Sequence, residues 1–183
     1  MEWPFTGGRY KVALQYGKGA AFDFRSVITR PAGLDLLPGD HVRLDDVWQF
    51  RLVSDFLLEQ RGPWALQVLG VYQELENGAA SNNRLRWVSL GARPVRQLGR
   101  FFSLATEAGW DYTAQEDLPS GSLFKLTVAP QITPAMTFLS RPALRAFATW
   151  AHWSDSYRGR IAAATNPDAV NGAAFGVQLE TWW

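Results

Sequence analysis

The sequence predicts an all-β fold, an antiparallel up-and-down meander of about eight strands within a single domain that spans residues 1–183. Two observations predict it. Apolar and polar side chains alternate with a period of two in nearly every segment, which is the pattern of extended strands with two unlike faces. The composition agrees, because 14% of the residues are aromatic and nine residues are Trp, and aromatic side chains favour strands.

Four strands are predicted in the first half of the chain, at residues 9–17, 48–58, 64–72 and 88–94. In the second of them, Phe50 and Leu52 share an apolar face, whereas Arg51 points to the opposite face. The connections differ in length. Those at 18–45 and 74–83 are long and polar, whereas the connection at 59–63 is a tight turn that contains Gly and Pro.

Four further strands are predicted in the second half, at residues 102–112, 124–131, 141–150 and 175–183. The connection at 97–100 is tight, the one at 132–140 is intermediate, and those at 113–121 and 154–172 are long. The last strand reads FGVQLETWW. Because side chains alternate along it, its two final aromatic residues, Trp182 and Trp183, lie on opposite faces.

Several functional classes are disfavoured by composition and spacing. The formal net charge is +1, so nucleic acid is not an expected partner, and there are no Cys residues. Glu107 and Asp111 share a face but lie about 13 Å apart along a strand, too far for a paired-carboxylate mechanism. His41 and His152 have no partners at metal-ligand spacing. We therefore expect no enzyme activity, no metal and no cofactor.

Orientation is the open question for such a meander. In a soluble, lipocalin-like ligand-binding barrel the apolar face packs inward, whereas in a transmembrane barrel it faces lipid. The alternating connection lengths favour the transmembrane arrangement. So do aromatic residues near the strand ends of the apolar face, where lipid headgroups would lie, namely Tyr10, Tyr16, Trp48, Trp64, Tyr72, Trp110, Tyr112, Trp150 and Trp183.

Several segments in order resemble one known family. LFKLTVAPQ, FLSRPALRAFATWAHW and the terminal GVQLETWW, with YKVALQYG and LGARP upstream, are similar to the C-terminal part of maltoporins, the sugar-specific channels of the bacterial outer membrane. The resemblance implies the last eight strands of an 18-stranded transmembrane barrel, and thus a partial porin domain. It also implies a homotrimer, outer-membrane lipid as surroundings and maltose- or maltodextrin-type sugars as solutes. The sequence carries no signal-peptide pattern at its start.

The resemblance also implies roles for individual residues. Trp183 is similar to the terminal aromatic that outer-membrane proteins present to their assembly machinery. Trp182 falls where maltoporins place a ring of the greasy slide, the track of aromatic side chains on which sugars move. Leu139 stands where the family commonly carries another such ring, which leaves a non-specific porin wall as an alternative.

Charged side chains on the polar face complete the predicted sugar-binding set. They are expected either to exchange hydrogen bonds with sugar hydroxyls or to form ion pairs that stiffen the wall. The alternation assigns to this face Arg51, Asp55, Arg93, Glu107, Lys125, Arg141, Arg145 and Glu180.

Overall fold

A computed structural model describes residues 1–19, 44–78, 84–135, 137–161 and 166–181. Nine strands occur in this part of the chain. They are β1 (Glu2–Phe5), β2 (Gly8–Lys18), β3 (Trp48–Arg61), β4 (Trp64–Glu76), β5 (Arg84–Gln97), β6 (Phe102–Gln115), β7 (Gly121–Ile132), β8 (Ala143–Trp153) and β9 (Asn171–Glu180). Short 3-10 helices occupy Leu44–Asp46 and Asp155–Tyr157, and none of the described helices is long and apolar enough to cross a membrane.

The nine strands form one open antiparallel sheet in which each strand pairs with its neighbours in sequence, from β1 at one edge to β9 at the other. This confirms the predicted all-β, up-and-down meander. β1 was not predicted. It has four residues and contains Pro4, and it pairs with β2 after a turn at Gly7, whose φ of +84° suits a residue without a side chain.

β4 and β5 extend beyond their predicted ends because oppositely charged residues pair across the ladder. β4 continues to Glu76, inside the predicted connection at 74–83, and β5 begins at Arg84, four residues before the predicted strand. Glu76 lies opposite Arg84 with Oε2 and Nε 3.5 Å apart, and Glu74 lies opposite Arg86 with Oε1 and Nη2 3.6 Å apart. Cross-strand pairs of opposite charge stabilise a sheet, so these polar residues lengthen the hairpin.

The two faces of the sheet differ in burial in the direction expected of an inverted barrel. On the polar face Arg51 and Arg145 are 5% and 6% exposed, whereas on the apolar face Leu126 and Leu144 are 42% and 45% exposed. Aromatic residues of the apolar face, such as Trp64, are exposed as well. A soluble barrel requires the reverse distribution, with the apolar face packed and the charges in water.

The contrast between the faces can be tested at two adjacent positions in the middle of β5. Leu90 lies on the apolar face and is 54% exposed, whereas Ser89 lies on the polar face opposite Asp111. In phospholipid vesicles we expect Leu90→Arg to lower the free energy of unfolding by about 2–4 kcal/mol, because a charge on the lipid face is poorly solvated. Ser89→Arg is the matched control and should have a much smaller effect.

Urea unfolding of the vesicle-inserted protein, followed by Trp fluorescence, provides the measurement. If Ser89→Arg proved the more damaging substitution, the apolar face would not lie against lipid.

Candidate functional site

The connection between β7 and β8, described at residues 133–135 and 137–142, doubles back over the polar face at the end of the sheet where the tight turns lie. Its Thr133 N–H donates to the carbonyl of Phe101 at 2.9 Å, between β5 and β6. Its Phe138 N–H donates to the carbonyl of Glu59 at 3.4 Å, near the end of β3. The connection therefore contacts strands far from those that it joins.

A row of small side chains on the polar face provides the surface on which this connection lies. Ala65 pairs with Val95, Val95 with Ala105, and Ala105 with Ala129, so the row crosses four neighbouring strands at one level. Phe138 packs against this row. Small residues leave the depth that a ring needs, and larger side chains in the row would lift the connection off the sheet.

Phe147 of β8 packs against the same row of small residues and on the same face of the sheet. It lies opposite Gly176 of β9, and a Cβ atom on that glycine would stand 2.9 Å from the Cζ atom of the ring. The absence of a side chain at Gly176 therefore allows Phe147 to lie across β9. Two aromatic rings thus stand on the polar face of the sheet.

A carboxylate shared by two arginines lies beside these rings. Glu180, the last residue of β9, accepts from Arg141 Nη2 at 2.6 Å and lies 2.6 Å from Arg145 Nη1. Arg145 also donates through Nε to Gln131 at 2.9 Å, and Gln131 donates to Ser103 at 3.0 Å. The chain of contacts links β6 to β9 and holds both guanidinium groups, which are largely buried.

A recess of about 190 Å³ opens on the polar face next to this cluster. Its lining combines charged, hydrogen-bonding and aromatic side chains, among them Arg93, Glu107, Thr127, Arg145, Phe147 and Gln178. Glu107 lies 3.5 Å from Lys125 through Oε1 and Nζ, and both of these side chains are substantially exposed. The recess therefore offers a ring face and charged hydrogen-bonding groups at the same place.

The structure gathers most of the predicted site residues at this end of the polar face. Arg141, Arg145 and Glu180 form the shared ion pair, Glu107 and Lys125 form the exposed one, and Leu139 lies in the connection that carries Phe138. Arg141 belongs to that connection, because β8 begins at Ala143.

Other predicted residues are not part of this cluster. Arg51 of β3 donates to Gln73 at 2.8 Å and lies five strands from β8, about 24 Å along the sheet. Trp182, Trp183 and His41 lie outside the described residues.

Sequence reasoning missed both rings. Phe147 has the same alternation phase as Arg145 and Thr149, so the signal for its position on the polar face was present. Phe138 lies in a connection without periodicity, and only its tertiary contacts, with Glu59 and with the row of small residues, place it. Trp87 of β5 was missed as well, and its indole N–H donates to Asp111 at 3.1 Å on the polar face.

Within the described ranges, no three His, Asp or Glu side chains are grouped in a way that could hold a metal ion. His152 stacks on Trp150 with ring centroids 6.2 Å apart on the apolar face. Glu107 and Asp111 both lie on β6, four residues apart along an extended strand, as the estimate of about 13 Å between them assumed.

An antiparallel meander that buries its ionic side and exposes its apolar side has the arrangement of a wall of an outer-membrane β-barrel, with polar groups toward water and apolar groups toward lipid. A family model described as LamB porin matches residues 1–183. The chain belongs to the LamB porin family. The resemblance seen in the sequence is thereby confirmed at the level of the family, which is a family of outer-membrane channels and not of enzymes.

The shared ion pair makes a prediction about stability. We expect Glu180→Ala to lower the free energy of unfolding by about 3 kcal/mol, because it leaves two largely buried guanidinium groups without their carboxylate. Glu107→Ala is the matched control, since its pair with Lys125 is exposed, and it should change the free energy by less than about 1 kcal/mol.

Denaturant titration of both variants in the same detergent or vesicles gives the comparison. Equal effects of the two substitutions would show that the contact of Glu180 with Arg141 and Arg145 contributes no more than an exposed pair.

Proposed function

We propose that this chain forms a wall of an outer-membrane channel for the facilitated diffusion of maltose- and maltodextrin-type sugars. The observation that carries the proposal is the meeting of Phe138 and Phe147 with the Arg141–Glu180–Arg145 cluster on the polar face. The apolar C–H face of a glucosyl unit fits against an aromatic ring, while its hydroxyls exchange hydrogen bonds with charged groups. Family membership supports the same function.

Within this proposal the predicted residues have distinct tasks. Arg141, Arg145 and Glu180 present hydrogen-bonding groups that are already fixed by one another, so little side-chain entropy is lost when a sugar replaces water. Glu107 and Lys125 are more exposed and contact hydroxyls farther along the face. Arg51 contacts hydroxyls at a different place, on β3. Trp182 remains the predicted slide ring at the end of the chain. Each contact must be weak, because a channel has to release its solute.

Leu139 favours a second candidate function. It supplies an aliphatic side chain at the position where the family carries a ring, and an aliphatic group offers no ring face to a sugar. A wall that has lost sugar selectivity, and acts as a non-specific porin, is therefore the alternative. Phe138, one residue earlier in the same connection, is the reason to prefer the sugar-selective channel.

Family membership is the support for two further parts of the proposal, a homotrimeric assembly and recognition of Trp183 by the outer-membrane assembly machinery. Light scattering of the detergent-solubilised protein measures the oligomer, and a monomer under these conditions would contradict the trimer.

The two candidate functions differ in the rate at which sugars of one size cross a membrane. We expect vesicles that contain the protein to swell faster in maltotriose than in raffinose, a neutral trisaccharide of the same mass, because only a linear glucan can follow a track of rings. Vesicles without protein are the control. Equal swelling rates would favour the non-specific porin, and failure of the protein to remain in detergent or lipid would favour the soluble, lipocalin-like alternative.

Phe138 should contribute directly to sugar binding. We expect Phe138→Ala to weaken maltotriose binding about threefold to tenfold, the scale of a single aromatic contact. Phe101→Ala is the matched control. Phe138 lies under an arginine, with Arg93 Cζ 5.4 Å from its ring centroid, and Phe101 does so too, with Arg100 Cζ at 4.9 Å. Phe101, however, stands exposed in the turn between β5 and β6.

Intrinsic Trp fluorescence in detergent, titrated with maltotriose, gives both binding constants. Equal losses in the two variants, or no loss in Phe138→Ala, would remove Phe138 from the sugar-binding face.

A further inference from the structure

Arg93 stands on the polar face of β5 and forms no ion pair with the residues that the structure describes. Its Cζ atom lies 5.4 Å from the centroid of the Phe138 ring, and its guanidinium makes no hydrogen bond or ion pair among the described residues. The side chain lines the recess and is only partly exposed. A guanidinium in this setting has lost part of its hydration, and the carboxylates of Glu107 and Glu180 act on it only through space, without a direct contact.

The neighbours of Arg93 explain why it is left alone. Gln67, its cross-strand partner on β4, is uncharged and cannot neutralise it, and the nearby carboxylate of Asp55 accepts from the amide of Gln67 at 2.9 Å. On β6, Ala92 and Val95 pair with Ala108 and Ala105, a register that places Glu107 opposite Arg93. The carboxylate of Glu107 nevertheless turns to Lys125 on β7.

The remaining carboxylate near the recess is already shared. Glu180 pairs with both Arg141 and Arg145, so one negative charge faces two positive charges and the cluster keeps a net positive charge. Arg93 adds a further positive charge, while Glu107 and Lys125 cancel each other. At this end of the polar face, within the described part of the chain, basic groups therefore outnumber acidic ones.

We propose that the recess is a subsite for a glycosyl unit that carries an anionic group, a carboxylate or a phosphate, with Arg93 as the group that binds the anion. The planar fork of a guanidinium matches either group with two parallel hydrogen bonds. Phe147 supplies the ring face for the sugar, and Thr127 and Gln178 supply groups for its hydroxyls.

The size and composition of the recess fit this ligand class. At about 190 Å³ it is smaller than the roughly 300 Å³ at which pockets for drug-sized ligands begin, so it suits one glycosyl unit. Glu107 is the carboxylate that also lines it, and its pairing with Lys125 keeps it from repelling an anion at Arg93. This inference rests on the sugar channel proposed above and adds a charge preference to it.

The test compares binding of glucose, glucuronate and glucose 6-phosphate to the detergent-solubilised protein by isothermal titration. We expect both charged sugars to bind about threefold to tenfold tighter than glucose in 0.1 M salt, the scale of a partly exposed ion pair. In 1 M salt, where screening acts over about 3 Å, the difference should shrink. Inorganic phosphate alone should bind more weakly than glucose 6-phosphate, because it has no ring to place against Phe147.

Variants of two arginines on the same strand assign the effect. Arg93→Gln should abolish the preference for charged sugars over glucose, and Arg93→Lys should retain part of that preference because the charge stays but the fork is lost. Arg96→Gln is the matched control, because Arg96 also lies over a ring, with its Cζ 5.5 Å from the Trp64 centroid, and belongs to the opposite face. It should keep the full preference.

The outcomes separate this inference from the proposed function. A protein that binds maltotriose but shows no preference for charged sugars, or keeps the preference in Arg93→Gln, overturns the anionic subsite and leaves the sugar channel intact. Phosphate binding as tight as glucose 6-phosphate overturns it too, since the sugar then plays no part. Binding of glucuronate without binding of maltotriose supports the subsite and contradicts the maltodextrin channel.

Discussion

The hydrogen-bonded ladder between neighbouring strands is the constraint on which the rest of this structure depends. Hydrocarbon cannot hydrogen-bond to backbone N–H and C=O groups, so each strand must find its partners in the adjacent strand. The register of β2 to β9 meets this requirement over long ladders, and it also fixes which side chains share a face. Once Arg145 points to one side, Leu144 and Ala146 must point to the other.

The ladder also explains why charged residues can lie on the more buried face. A buried guanidinium destabilises the fold unless its hydrogen bonds and charge are met, and Arg145 meets them through Glu180 and Gln131. These partners come from β9 and β7, the two strands that flank Arg145 in the ladder. Strand pairing thus brings the charged groups within reach of their partners and makes their burial tolerable.

Much of the architecture could be predicted from the sequence because alternation is a local signal. The strands around Phe50 and Leu126 and the faces they present follow from it directly. The short β1 was not predicted because four residues with a proline carry too little periodicity. The hairpin ends were not predicted for a different reason, since Glu76 was assigned to a polar connection and Arg84 to no strand until the register showed that they pair.

The site was less predictable than the sheet because its central contact is not local. Charged members such as Arg145 and Glu180 follow from strand phase, but their common partner does not, since nothing in the spacing indicates that Glu180 also binds Arg141. Phe138 depends on a connection that crosses the face to Glu59. No period in residues 133–142 reports that path.

The row of small residues links these observations and gives the site its shape. Ala65, Ala105 and Ala129 contribute little to the stability of the sheet by themselves, yet they lower the surface on which Phe138 and Phe147 lie. With the rings so placed, Arg93 meets an aromatic face in place of a carboxylate, because Phe138 occupies the space beside it. The close packing that holds the two rings therefore leaves Arg93 without a direct ion pair among the described residues. Its positive charge adds to that of the Arg141–Glu180–Arg145 cluster on the polar face.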